Sequence, residues 1–140
     1  MTTPQNTQQK NPIINKLLII LFSAIAILAF AWAMLPQGYS TDTTIIGKGK
    51  PAIVIIYDAN NAGSDHIMES VTQVRGEFES QVEFILVDVN APGGREFTNT
   101  NAVAAPSALL LSRQGKRITV VYPPQEAAAL NNITRQAFNL

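Results

Sequence analysis

The sequence predicts an α/β fold: a mixed four-stranded sheet flanked by helices, preceded by a single N-terminal transmembrane helix. Three observations predict it. Residues 17–35, LLIILFSAIAILAFAWAML, carry no charge. Two continuous apolar, β-branched runs, PAIVIIY (51–57) and VEFILVDV (82–89), flank a segment with helical spacing, the pattern of parallel strands buried on both faces and joined by a crossover helix. Two further apolar runs, SALLLS (107–112) and RITVVY (117–122), are separated only by Arg113-Gln114-Gly115-Lys116, which reads as an antiparallel hairpin.

Taken in order, residues 1–12 are polar, rich in Thr, Gln and Asn, and read as a disordered tail. Residues 13–35 are the expected span. The uncharged core alone gives about 28 Å of helix, close to the hydrocarbon thickness. Trp32 suits an interfacial position, and Pro36-Gln37-Gly38 ends the run. Ala31-Trp32-Ala33 also fits a signal-peptidase pattern, but the apolar run is longer than the usual h-region and Pro36 follows closely. Lys10 and Lys16 precede the span and no acid does. The positive-inside rule therefore places the N-terminus in the cytoplasm and the domain on the periplasmic or lumenal side. Ala26, Ala29 and Ala33 fall on one side of the helix and permit close helix packing.

Residues 36–50 read as a linker, with Ile45 and Ile46 as a short edge strand. Residues 51–140 read as one domain of order β-α-β-α-β-β-α. Its first helix, 65–79, carries the apolar stripe Ile67, Met68, Val71, Val74 and Phe78. Ala91-Pro92-Gly93-Gly94 is a turn and 95–103 a short helix. Pro123-Pro124 opens a last helix, since proline is tolerated in a first turn.

Composition excludes several functions. The 140 residues include no cysteine, which removes disulfides, thiolate nucleophiles and thiolate metal sites. His66 is the only histidine, too little for a typical zinc site, and no metal or cofactor is expected. Ten basic residues balance ten acidic ones, with no basic stripe for nucleic acid.

Two local features carry a resemblance. The strand IVIIY runs into DANNAGSD (58–65), and AVAAPSALLLSRQGK (102–116) places a proline before an apolar strand and a Gly-containing hairpin. Together with the element order they resemble the thioredoxin fold over residues 50–140. The resemblance implies that Pro106 is a cis-proline. It also implies that the turn occupies the place of the family's Cys-Gly-Pro-Cys. There Asn61 stands for the first cysteine, Ala62 and Gly63 for Gly-Pro, and Ser64 for the second cysteine. Asn60 replaces the tryptophan, and Ile55 falls where the family has a buried acid. The domain is thus expected to be redox-inactive.

Read from the residues, Ser64 or Asp65 caps the first helix, and Asn61 and Gly63 permit a positive φ. The resemblance implies a second use. The groove between residues 60–64 and the Ala105-Pro106 loop can pair with an extended peptide backbone, with Asn60 and Asn61 adding hydrogen bonds. Ser64, Asp65 and His66 are too close in sequence to face one another as nucleophile and base. Asp58 and Asp88 sit at strand ends. Asn132-Ile133-Thr134 matches a glycosylation sequon inside a helix. The expected function is a non-catalytic, membrane-anchored accessory, assembly or scaffolding subunit of a larger membrane complex. Its partners would be other membrane protein subunits and, through residues 13–35, the bilayer. The alternative is an anchored, chaperone-like binder of extended client peptides.

Overall fold

A computed structural model describes residues 12–33, 38–123 and 126–140. The chain divides into two units, Met1–Gly38 and Tyr39–Leu140. Helix α1, Pro12–Ala33, is 22 residues long. Ala26 and Ala29 lie exposed on it, as do Leu17, Phe22 and Phe30. The side chains of residues 12, 13, 15, 32 and 33 fall outside the described set, which takes in Trp32 and Ala33. Among the described residues no helix is long and apolar enough to cross a membrane. The expected disordered tail, 1–12, lies outside the described residues but for its last position.

The second unit contains β1 (Ala52–Tyr57), α2 (Gly63–Phe78), β2 (Glu83–Asp88), α3 (Gly94–Thr100), β3 (Ser107–Leu111), β4 (Arg117–Val121) and α4 (Ala127–Phe138). The sheet order is β2-β1-β3-β4. β1 and β2 are parallel, whereas β3 is antiparallel to both β1 and β4. The mixed sheet follows from connection length: α2 crosses over between parallel strands, and the short 112–116 turn closes a hairpin.

The two faces of β1 divide by alternation. Ile53 and Ile55 join Ile67, Val71, Val74 and Phe78 of α2 and Leu130 of α4 in one core. Ala52, Val54 and Ile56 join Val87, Val103, Leu109 and Leu111 in the other. Every residue of Ala52–Ile56 is buried, which is why the run carries no polar alternation. β4 is an edge strand, exposed at Arg117 and Ile118, half-buried at Thr119 and Val120 and buried at Val121.

Three expectations are corrected. The segment expected as a linker is folded from Tyr39 onward. Ser40 forms a parallel bridge with Ile85, its carbonyl accepting the Leu86 amide at 2.8 Å. Tyr39 packs on the α2 core, its hydroxyl 2.7 Å from Thr72 Oγ1 and its ring beneath Arg75. Ile45 and Ile46 form no strand. Thr43–Ile45 is a 3₁₀ turn capped by Asp42, which accepts the Thr44 amide, and both isoleucines pack on the second core. Finally, α4 starts after Glu126, so Pro123 lies outside it, and Pro124 lies outside the described residues. The sequon is placed on α4 with Thr134 fully buried, its hydroxyl donating to the Leu130 carbonyl.

Candidate functional site

The turn between β1 and α2 faces the Ala105-Pro106 loop across a cavity of about 380 Å³ lined by Asn61, Gly63, His66, Ala105, Pro106, Tyr122 and Pro123. The Ala105–Pro106 bond is cis, as the resemblance implies. β1 delivers the turn and β3 begins directly after Pro106. The β3–β4 register, Ala108 against Val121, carries Tyr122 and Pro123 to the same end of the sheet. Sequence reading missed these two as cavity walls. The available signal was the hairpin itself, since equal strand lengths return the chain beside its starting point.

Within the turn the polar atoms are largely turned inward. Ser64 is fully buried, and its Oγ accepts the Asp58 amide at 2.9 Å. It ties helix to strand and is not a helix cap. Ala62 occupies the cap position without a side-chain bond. Asn61 Oδ1 accepts the Gly63 amide at 3.0 Å, and the Ser64 amide donates to the Asn61 carbonyl at 2.8 Å. Asn60 Nδ2 donates to Asp58 Oδ1 at 3.2 Å. Neither Asn61 nor Gly63 adopts a positive φ. The tightness of the turn comes instead from an αR conformation at Ala62 and from these local bonds.

Gly63 is required by close approach. A Cβ there would stand 2.9 Å from Pro106 Cγ and 3.2 Å from Pro123 Cγ, both ring atoms with little freedom to move. Gly63→Ala is therefore expected to destabilise by about 1 kcal/mol, crowding outweighing the helix-propensity gain. Gly76→Ala, in the interior of the same helix with nothing within 4 Å of its Cβ, is expected to stabilise by about 0.5–1 kcal/mol. Opposite signs in parallel denaturation curves would establish the steric role of Gly63, and equal signs would refute it.

Asp58 connects this turn to the β2–α3 loop. Its Oδ1 accepts the Asn60 amide at 3.0 Å and Asn90 Nδ2 at 3.1 Å. The Asn60 backbone bond, then the Asn90 side chain, hold its carboxyl below the ordinary value. A lowered folded-state pKa gives stability present above the unfolded value and lost as pH falls through the folded one. The stability difference between wild type and Asp58→Leu should thus shrink steadily below about pH 4. A difference unchanged from neutral to acid pH would exclude the carboxylate as its source.

The Asp65 charge and its acceptance of the Tyr57 hydroxyl at 3.3 Å raise the Tyr57 pKa above the ordinary phenol value. With Asp65 engaged by Tyr57 and Ser64 Oγ buried against a backbone amide, Ser64, Asp65 and His66 form no nucleophile–base pair. Among the described residues no group of His, Asp and Glu side chains is arranged to hold a metal.

No protein-family model matches the chain, and no curated protein matches it in sequence. Solved structures do match in shape. A thioredoxin-like protein from Clostridium perfringens aligns with a TM-score of 0.57 at 12% identity, over 64% of this chain and 72% of that one. A yeast mitochondrial 1-Cys peroxiredoxin aligns with a TM-score of 0.59 at 17% identity, over 71% of this chain and 95% of that one. At such identities the likeness concerns the fold. The chain has a thioredoxin-like fold in which the turn at the head of the first crossover helix, Asn60 to Ser64, carries no cysteine.

Proposed function

We propose that this protein is a membrane-anchored, non-catalytic subunit that acts by protein–protein interaction as an accessory, assembly or scaffolding component of a larger membrane complex. The observation that carries the reading is the state of the turn. It has no sulfur, and Ser64 and Asn61 use their oxygens to hold the turn itself. What such a turn offers is shape and backbone, not a reacting group. The anchor is supported by the sequence, which is uncharged from residue 17 to residue 35. Lys10 and Lys16 before that run, with no acid before it, support a cytoplasmic N-terminus and a domain on the periplasmic or lumenal side.

Extraction in mild detergent, native purification and mass spectrometry test the reading. Partners at fixed stoichiometry are expected. A chain that runs alone as a monomer would sink it. A second reading, the anchored binder of extended client peptides, is favoured by the cavity itself, where half-exposed Tyr122 stands beside Pro106. It calls for many substoichiometric partners, all lost in Ala105→Trp.

A further inference from the structure

We propose that the end of the 39–140 unit at which β1 begins docks on anionic phospholipid headgroups of the bilayer. The proposal rests on the anchored reading above.

Strand and helix directions sort the charges by end. β1 and β2 run away from this end, and α2, α3 and α4 run back toward it. Lys48 and Lys50 lie just before β1, while Arg113, Lys116 and Arg117 lie in the β3–β4 hairpin and at the start of β4. Arg75 and Arg135 lie in the last turns of α2 and α4. Of the eight basic residues from Tyr39 onward, only Arg95 lies at the opposite end. That opposite end gathers Asp58, Asp65, Glu69, Asp88, Glu96 and Glu126.

The acids at the basic end are already occupied. Glu83 pairs with Lys50, Glu79 with Arg75 and Glu77 with Arg135. Asp42 feels Lys48 only weakly, its carboxyl being held by the Thr44 hydroxyl and amide. Among the described residues, exposed Lys48, Arg113, Lys116 and Arg117 have no acid within ion-pair distance, although the Arg117 guanidinium donates to the Asn101 and Ala102 carbonyls at 3.2 Å. Close packing of two loops gathers them. The Gly49 amide donates to the Arg113 carbonyl at 3.2 Å, and a Cβ on Gly47 would stand 3.1 Å from the Gln114 oxygen.

The chain also reaches the unit at this end. Ser40 runs parallel to β2, and Tyr39 contacts Thr72 and Arg75 in the returning half of α2. Five residues lie between Ala33, the last of α1, and Tyr39, a reach of at most about 20 Å. The charge order then presents cations to anionic lipid and keeps the acidic end, with the Asn60–Ser64 turn, turned away.

The cysteine-free chain allows a direct test. Full-length protein carrying Gln114→Cys or Ala91→Cys is labelled with a fluorophore. It is reconstituted into phosphatidylcholine vesicles with or without phosphatidylglycerol, together with a headgroup-attached quencher. With phosphatidylglycerol, quenching at 114 should exceed that at 91 by about threefold, and salt that shortens the Debye length to about 3 Å should erase the excess. Lys48→Gln with Lys116→Gln should reduce it, and Lys48→Glu with Lys116→Glu should abolish it. Equal quenching at both positions in vesicle-bound protein overturns the docking alone and leaves the basic end to an acidic protein surface. Loss of the excess with inorganic phosphate, but not with chloride of equal ionic strength, makes free phosphate the ligand and overturns the lipid assignment. Protein that fails to co-elute with vesicles of either composition overturns the anchor and the docking together.

Discussion

Ile55→Asp should leave the 39–140 unit largely unfolded at neutral pH. Ile55 is fully buried at the centre of the sheet, paired with Leu86 on one side and Ala108 on the other. Its side chain enters the core formed with Ile67, Val71 and Leu130. Truncating such a residue to alanine costs about 2–5 kcal/mol. An unpaired buried carboxylate adds about 3–5 kcal/mol more. The total is comparable with the entire stability of an ordinary domain, about 5–15 kcal/mol.

The pH dependence separates charge from shape. Burial would raise the folded-state pKa of the new acid, so its smallest penalty falls below the unfolded value, near pH 4, and grows as pH rises. Circular-dichroism melts of Ile55→Asp, Ile55→Asn and Ile55→Ala at pH 4 and pH 7 resolve the terms. If Ile55→Asp matched Ile55→Ala at pH 7, the core beneath the turn would be wetter than described. The outcome bears on function because the resemblance places the family's buried acid at this position. Here the place is filled by a side chain that apolar neighbours require, so no acid stands at this position.

Legibility of the fold followed burial. Ala52–Ile56 and Ser107–Leu111 are buried at every residue, and such strands leave an unbroken apolar run that no surface strand would tolerate. The α2 stripe was visible for the same reason. Tyr39 and Ser40 were not, because their attachment rests on one backbone bridge and one aromatic ring, neither of which repeats along the sequence. At the site, sequence position identified the turn and Pro106. The role of Ser64 was misread because a buried serine and a capping serine occupy the same place in a sequence. Only the 2.9 Å bond from the Asp58 amide to Ser64 Oγ distinguishes them. Tyr122 and Pro123 were missed because their relation to Pro106 is set by cross-strand register.

Gly94 was read as a turn glycine, yet its constraint is steric, and Gly94→Ala should destabilise at the upper end of the about 1–3 kcal/mol typical of overpacking. Gly93, just before it, is the residue with positive φ, at 81°. Gly94 is buried at the first position of α3, where a Cβ would lie 2.0 Å from the Asp88 carbonyl oxygen and 3.1 Å from Val89 Cα. Both are backbone atoms at the end of β2, so no rotamer change relieves the contact. Either α3 moves away from the sheet or the last residue of β2 leaves its register with Tyr57. For a unit of this size the midpoint should fall by 10 °C or more, taking about 4–8 °C per kcal/mol. Gly93→Asn supplies the contrast, since a Cβ at 93 meets nothing within 4 Å and asparagine tolerates the left-handed region. Its expected cost is below about 1 kcal/mol. A Gly94→Ala melt no lower than that of Gly93→Asn would mean that α3 is free to shift on the sheet. The β2–α3 loop would then be too loose to hold Asn90 against Asp58.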